Sequence, residues 1–140
     1  MVKTAKNGFS LLELLVVLVI LGLVISIAAP QLFEQMGGAK KDTATIQIEK
    51  IGSILDLYRL NIGRYPSQDE GLDALVKAPA NVGSRWKGPY VKKKQTLLDP
   101  WGNSYVYNSP GKHNKDYDLY SLGADGQEGG EGDNQDITNW

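Results

Sequence analysis

The amino-acid sequence predicts an α+β protein in which one long N-terminal helix packs on a small antiparallel β-sheet. Three observations favour this class. An apolar run, 9–29, is long enough to form a membrane-spanning helix, and an apolar stripe at helical spacing follows it. The second half of the chain alternates aromatic and β-branched residues with polar ones, which is typical of strands. With 140 residues, the chain can form one compact domain besides the run.

The apolar run has the length of a membrane anchor. Seventeen of its 21 residues are apolar, and at the helical rise it would extend about 31 Å, close to the hydrocarbon thickness of a bilayer. Lys3 and Lys6 precede it without any acid, so this end should stay in the cytoplasm and the rest should lie outside. A cleaved signal peptide, with Ala29 as the first mature residue, is an alternative. Glu13 opposes it, because an acid is costly in an apolar segment.

The predicted helix continues beyond Pro30 as an amphipathic segment. Its apolar residues recur at the spacing of one helix face: Ala44, Ile48, Ile51, Leu55 and Tyr58. This stripe predicts packing against the remainder of the chain. The segment 61–66 is poor in helix formers and should end the helix, and a capping box of Ser67 and Glu70 predicts a short second helix.

The segments 88–91, 104–108 and 116–120 have strand character and predict a sheet of three or four antiparallel strands. A basic stretch precedes the second of them: Arg85, Lys87, Lys92, Lys93 and Lys94. Trp86 and Tyr90 lie within this stretch, as in some nucleic-acid sites. The net charge of −1 opposes that function, so we interpret the stretch as a solvated face or a contact with acidic neighbours and expect no nucleic-acid partner.

Composition also limits the possible chemistry. The chain has no cysteine and one histidine, His113, which excludes disulfides, cysteine-based zinc sites and multi-histidine metal sites. Paired carboxylates occur, but without other acid–base groups or a catalytic motif. We therefore expect no enzyme activity.

The C-terminal segment is acidic and rich in glycine. After Lys115 there are seven acids and no basic residue, and five glycines lie among the acids. Such a segment repels itself, so it is either a disordered tail or a loop organised by a cation. Calcium is the best candidate because it takes oxygen ligands, including backbone carbonyls. An EF-hand starting at Asp125 does not fit, since Gln127 and Gly129 occupy positions where acids are expected.

Several segments together resemble a known family. Gly8-Phe9-Ser10-Leu11-Leu12-Glu13 resembles the processing site of type IV pilins and type II secretion pseudopilins. Arg64-Tyr65-Pro66, Leu98-Asp99-Pro100-Trp101-Gly102 and Tyr120-Ser121-Leu122-Gly123 resemble the head of the major type II pseudopilins. The resemblance covers nearly the whole chain.

The resemblance implies a pilin-like fold in three parts. Residues 1–8 would be a leader that a prepilin peptidase removes, cleaving between Gly8 and Phe9 and methylating the new Phe9 terminus. Residues 9–29 would be a transmembrane helix in the inner membrane, and residues 30–140 a periplasmic head. A carboxylate at Glu13 can neutralise the new α-ammonium of its own or a neighbouring chain. We therefore expect Glu13 to set the register between neighbouring subunits during assembly.

The resemblance also implies a calcium loop at 121–140. Leu122 and Gln127 would contribute carbonyls, Asp125 and Asp136 side chains, and Asp133 a further carboxylate. Gln135 stands where relatives can carry an acid, which affects the number of ligands. Ile137 and Trp140 should anchor the end of the loop on the sheet.

The implied function is that of the major subunit of a periplasmic pseudopilus. Copies would form a helical filament with minor pseudopilins on an inner-membrane platform and would help export folded proteins across the outer membrane. A type IV pilin for adhesion or motility is the closest alternative, although many of those close the C-terminal region with a disulfide. A secreted calcium-binding module or enzyme with a cleaved signal peptide is the alternative from another class.

Overall fold

The computed structural model describes residues 8–140, so 1–7 of the predicted leader lie outside the described residues. The chain divides into two units, one ending at Met36 and the other comprising Gly37–Trp140. Helix α1, Leu11–Ile62, contributes to both units and contains Pro30. The predicted long N-terminal helix is therefore present.

In the first unit, α1 exposes its apolar side chains. Leu11 is 83% exposed and Val19 is 68% exposed. An 18-residue window of α1 has a mean hydropathy of 3.0, and none of it is buried within the unit. Among the described residues, α1 is the one helix long and apolar enough to cross a membrane. This is the property that the sequence predicted for 9–29.

In the second unit, α1 packs through the predicted stripe. All five stripe residues are buried, and Leu55 and Tyr58 have no exposed surface. Four of the five, all except Ala44, belong to a core that also includes residues from the loops and the sheet: Ala74, Leu75, Val82, Val91, Leu97, Tyr105, Tyr107 and Leu119. Burial of this stripe supplies the main apolar contact of the unit.

Helix α1 ends where the sequence predicts. Gly63 follows it with φ +92°, and its N–H donates to the Arg59 carbonyl at 2.7 Å, which is a left-handed glycine cap. Arg85 closes the same end, because its Nη1 donates to the Ile62 carbonyl at 3.0 Å. One of the basic residues of the sequence is thus a helix-capping residue.

The predicted second helix is a single 3₁₀ turn, Leu72–Leu75. The capping box forms, since the Ser67 N–H donates to Glu70 Oε2 at 2.9 Å and the Glu70 N–H to Ser67 Oγ at 3.4 Å. Gly71 follows it with φ +55°, a conformation that interrupts an α-helix. The capping signal is therefore confirmed, and the predicted short helix takes the form of one 3₁₀ turn.

The sheet has three antiparallel strands in the order β1-β2-β3. These are β1 Val106–Asn108, β2 Asp118–Ser121 and β3 Ile137–Thr138. Tyr107 pairs with Leu119, and Ser121 pairs with Ile137. The third strand comes from the C-terminal segment, where Ile137 anchors the loop as expected.

The segment 88–91 is not a strand, so that prediction was wrong. Pro89 has no N–H to give to a sheet. The N–H groups of Tyr90 and Val91 both donate to the Leu75 carbonyl, at 2.8 and 3.1 Å. The side chains of Tyr90 and Val91 pack in or against the core, while their backbone N–H groups bind the end of the 3₁₀ turn at Leu75.

Candidate functional site

The first candidate site is the segment that leads into α1. Gly8, Phe9 and Ser10 precede the helix, and Phe9 is 77% exposed. The Ser10 N–H donates to Glu13 Oε2 at 3.4 Å, and the Glu13 N–H donates to Ser10 Oγ at 3.2 Å. This is a reciprocal capping box, which the sequence analysis did not identify.

Gly8 and Phe9 lie in non-helical, exposed backbone ahead of the helix. The capping box holds the Glu13 carboxylate at the positive end of the helix. A new amino terminus at Phe9 would adjoin Ser10, whose N–H the carboxylate already accepts.

The second candidate site is the acidic loop between β2 and β3. The start of this loop is hydrogen-bonded to the turn at 99–103. Within that turn, Asp99 Oδ1 accepts the N–H groups of Trp101 and Asn103 at 3.0 and 2.8 Å. Asp99 Oδ2 accepts Ser121 Oγ–H at 2.6 Å. Asn103 Nδ2 donates to the Gly123 carbonyl at 3.0 Å. Leu122 is thus flanked by two residues that the turn fixes.

Asp125 and Asp136 both lie within this loop with hydrogen-bonded carboxylates. Asp125 Oδ1 accepts the Gln127 N–H at 3.1 Å, and Asp136 Oδ2 accepts the Gly129 N–H at 2.8 Å. Asp136 Oδ1 is buried and has no hydrogen-bond partner among the described residues. A buried carboxylate oxygen without a partner is costly unless a further group satisfies it. Asp136 also lines a cavity of about 290 Å³ with Glu128.

Asp133 lies in the 3₁₀ turn Gly132–Asn134 of the same loop. Its carboxylate contacts α1 at Gly37. The described residues contain no cluster of three or more His, Cys, Asp or Glu side chains placed to hold a metal. A cation in this loop would therefore need backbone carbonyls, as expected for Leu122 and Gln127.

The end of the loop is anchored by aromatic contacts. Trp140 stacks on His113 with ring centroids 4.1 Å apart and contacts Tyr120 edge-on at 5.5 Å. The predicted anchoring by Trp140 is confirmed. The only histidine of the chain thus serves as a packing surface.

Asp118 is a structural residue that sequence reasoning missed. It is 1% exposed, and its carboxylate accepts the N–H groups of Lys112, His113 and Asn114 at 2.7 to 3.3 Å. Burial raises the pKa of Asp118, but these three hydrogen bonds outweigh it and lower the pKa below its ordinary value. The alternation of 116–120 predicted a strand and gave no sign of this role.

The basic stretch is divided among several contacts. Lys94 Nζ lies 3.0 Å from Asp73 Oδ1, and Arg85 caps α1. Lys92 and Lys93 are exposed. The stretch is therefore not a continuous cationic surface.

The fold and the N-terminal segment together define a class of protein. Residues 3–29 match the profile of the prokaryotic N-terminal methylation motif, and the long helix on a small sheet is the pilin-like architecture. Residues 31–140 match the profile described as type II secretion system (T2SS), protein G. The chain belongs to this family of major pseudopilins, which is a family of structural subunits.

Similar proteins agree on this assignment. The type II secretion system core protein G of Pseudomonas aeruginosa is 43% identical, with 100% of this chain and 99% of that protein covered. The Vibrio cholerae protein of the same name is 44% identical, with 96% of this chain and 92% of that protein covered. The crystal structure of the major pseudopilin from enterohaemorrhagic Escherichia coli matches with a TM-score of 0.63 and 32% identity, covering 79% of this chain and 95% of that one. The type IV pilin and secreted-module alternatives are not favoured.

Proposed function

We propose that this chain is the major structural subunit of a periplasmic type II secretion pseudopilus. Its 9–29 segment would anchor it in the inner membrane, with the head in the periplasm, until copies assemble into a filament. The observation that best supports this is the match of 31–140 to the protein G family, together with a first unit whose apolar side chains are exposed. Growth of the filament would help export folded proteins across the outer membrane.

The exposed apolar surface of the first unit suits two environments in succession. In the membrane it would face lipid, and in a filament it would face the helices of neighbouring copies. Glu13 favours the second environment, because a carboxylate in lipid is costly unless a cation pairs with it. The α-ammonium at a processed Phe9 would supply that cation. Minor pseudopilins, the inner-membrane platform and the prepilin peptidase would be the other partners.

Replacement of the acid tests the assembly role. We expect Glu13→Leu to be processed at Gly8–Phe9 but to assemble poorly, since the α-ammonium loses its counter-charge. Intact-mass measurement should give a mature chain that starts at methylated Phe9, and sedimentation of filaments from osmotically lysed cells should show a large loss.

Glu34→Gln is the matched control, because it removes an exposed acid of the same helix beyond Pro30. It should assemble like the wild-type chain. Normal filaments from Glu13→Leu would contradict the proposed role of the acid. A native chain that starts at Ala29 would contradict the pseudopilus itself.

We also propose that the acidic loop binds calcium. The donor set fits, because it offers carboxylates at Asp125 and Asp136 and carbonyls at Leu122 and Gln127, all of them oxygen ligands. The proposal is supported by the buried Oδ1 of Asp136, which has no hydrogen-bond partner in the described part of the chain. Calcium would neutralise the self-repulsion of the loop and link its two ends.

Removal of the ion tests this proposal. Calcium that binds only the folded state adds about 2.7 kcal/mol at a hundredfold excess over its Kd. We therefore expect a chelator to lower the melting temperature of calcium-loaded protein, as measured by circular dichroism, and calcium to restore it. Asp125→Asn should abolish the difference. An unchanged melting temperature in protein first shown to contain calcium would contradict the proposal.

A further inference from the structure

The acidic loop is seated on α1 at a single glycine. The Asp133 carboxylate lies so close to Gly37 that a methyl group added there would overlap its oxygens. Gly37 is buried, whereas the adjacent Gly38 is exposed. A methyl group added at Gly38 would meet no other described residue within 4 Å. The absence of a side chain at Gly37 is thus what admits Asp133.

A second contact lies one helical turn further along α1. Lys41 Nζ donates to Gln135 Oε1 at 3.1 Å. Residues four apart on a helix share a face, so Gly37 and Lys41 together present one surface to the loop. Two loop residues, Asp133 and Gln135, meet that surface.

The 3₁₀ turn that contains Asp133 also contacts the start of the loop, at residues 123–124. The Ala124 N–H donates to the Asp133 carbonyl at 2.9 Å. A Cβ at Gly123 would lie 2.8 Å from the Asp133 carbonyl oxygen, so the two backbones are in close contact. Asp133 therefore sits between α1 and the 123–124 segment, directly before Asp125.

We propose that Gly37 is the docking point of the acidic loop and that Asp133 is a positioning residue, which acts through this contact and not as a calcium ligand. Docking fixes the 123–124 segment, and that segment leads into Asp125. Calcium binding and docking on α1 should therefore stabilise each other. This inference rests on the proposed calcium function.

Two glycine variants of the full mature chain in detergent micelles test the coupling. Gly37→Ala and Gly38→Ala gain the same helix propensity, but only the first displaces Asp133. We expect Gly38→Ala to bind calcium like the wild-type chain and Gly37→Ala to bind it about fivefold more weakly. Isothermal titration with calcium chloride measures both Kd values. Equal Kd values for the two variants would overturn the coupling.

Asp133→Asn separates positioning from ligation. The amide keeps the shape of the carboxylate against Gly37 but lacks its charge, and calcium affinity depends strongly on the charge of its ligands. We expect the Kd of Asp133→Asn to change less than about twofold, whereas Asp136→Asn should weaken binding about tenfold or more. A loss at Asp133→Asn as large as that at Asp136→Asn would make Asp133 a ligand and overturn its positioning role.

Melting temperatures in chelator separate this inference from the calcium proposal. Without calcium, Gly37→Ala should melt about 2 to 4 °C below Gly38→Ala, because only Gly37→Ala breaks the docking contact. Equal melting temperatures would overturn docking at Gly37. A wild-type chain that binds no calcium would contradict both the calcium site and the coupling, while this comparison would still measure the docking contact.

Discussion

At the scale of single residues, the head depends on carboxylates that accept specific hydrogen bonds. Glu70 combines two such roles, because it completes the capping box with Ser67 and pairs with Arg64 in a bidentate bridge with both N···O distances 2.7 Å. The hydrogen bonds from Arg64 are the main cause that lowers the pKa of Glu70 to about 2, against the opposing effect of partial burial. Its ionised form is therefore part of the folded state.

The lowered pKa of Glu70 predicts a loss of stability in acid. A carboxyl with a depressed pKa contributes fully above its unfolded value, near 4.3, and loses that contribution as the pH falls towards 2. Because Arg64 is partly exposed, we expect Glu70→Gln to cost about 1 to 2 kcal/mol at pH 7 and almost nothing near pH 2. Urea unfolding at several pH values measures this difference.

Asp69→Asn is the matched control, since Asp69 is the exposed neighbour of Glu70. Its cost at pH 7 should be small, because the side chain is exposed. A cost of Glu70→Gln that stays the same down to pH 2 would show that the Arg64 pair does not stabilise the ionised carboxylate.

At the scale of the elements, α1 could be predicted from the sequence because its signals are periodic and local. The five stripe residues alone identified the buried face, and Gly63 marked the helix end. The sheet was harder, because a strand is decided by the partners of its backbone. Tyr90 and Val91 have side chains typical of strands, yet their N–H groups donate to the carbonyl of Leu75. The sequence alone does not show that Leu75 lies next to them.

The sites were predictable to different degrees for the same reason. Gly8, Phe9 and Glu13 lie within one short segment, so a family resemblance is enough to predict their roles from the sequence. Asp118 and Gly37 act through contacts that the fold creates, with three backbone N–H groups and with Asp133. Neither has a local signal, although the Asp-x-x-Gly turn at Asp99 does indicate a side-chain to backbone hydrogen bond.

In the second unit, truncating a leucine should cost much more stability on the buried face of α1 than on its exposed face. Leu55 has no exposed surface, whereas Leu60, five residues later, is 82% exposed. We expect Leu55→Ala to cost about 2 to 5 kcal/mol because it leaves a cavity in the core. Leu60→Ala should change the free energy of unfolding by less than about 0.5 kcal/mol. Equal effects in urea unfolding of the monomer would contradict the assigned core.

At the scale of the whole molecule, the two units differ in whether their apolar side chains are buried or exposed. The second unit buries its own apolar residues, from Ile48 to Leu119, in one core. In the first unit, nearly all apolar side chains among the described residues are exposed, and none of the most apolar window is buried. An exposed apolar surface of this size marks a site that lipid or another protein covers. The head should therefore fold without the anchor, while the anchor needs a membrane or an assembly.

A fragment of residues 31–140 tests this division, because it keeps the protein G region and the docking face at Gly37 and Lys41 while it removes the apolar run. We expect the fragment to be monomeric in buffer without detergent and to unfold cooperatively, since its core is complete. The full chain should need detergent to stay monomeric. Size-exclusion chromatography and thermal circular dichroism compare the two chains. A fragment that aggregates or lacks a cooperative transition would mean that the first unit contributes to the fold of the head, and the helix would then be more than an anchor and an assembly surface.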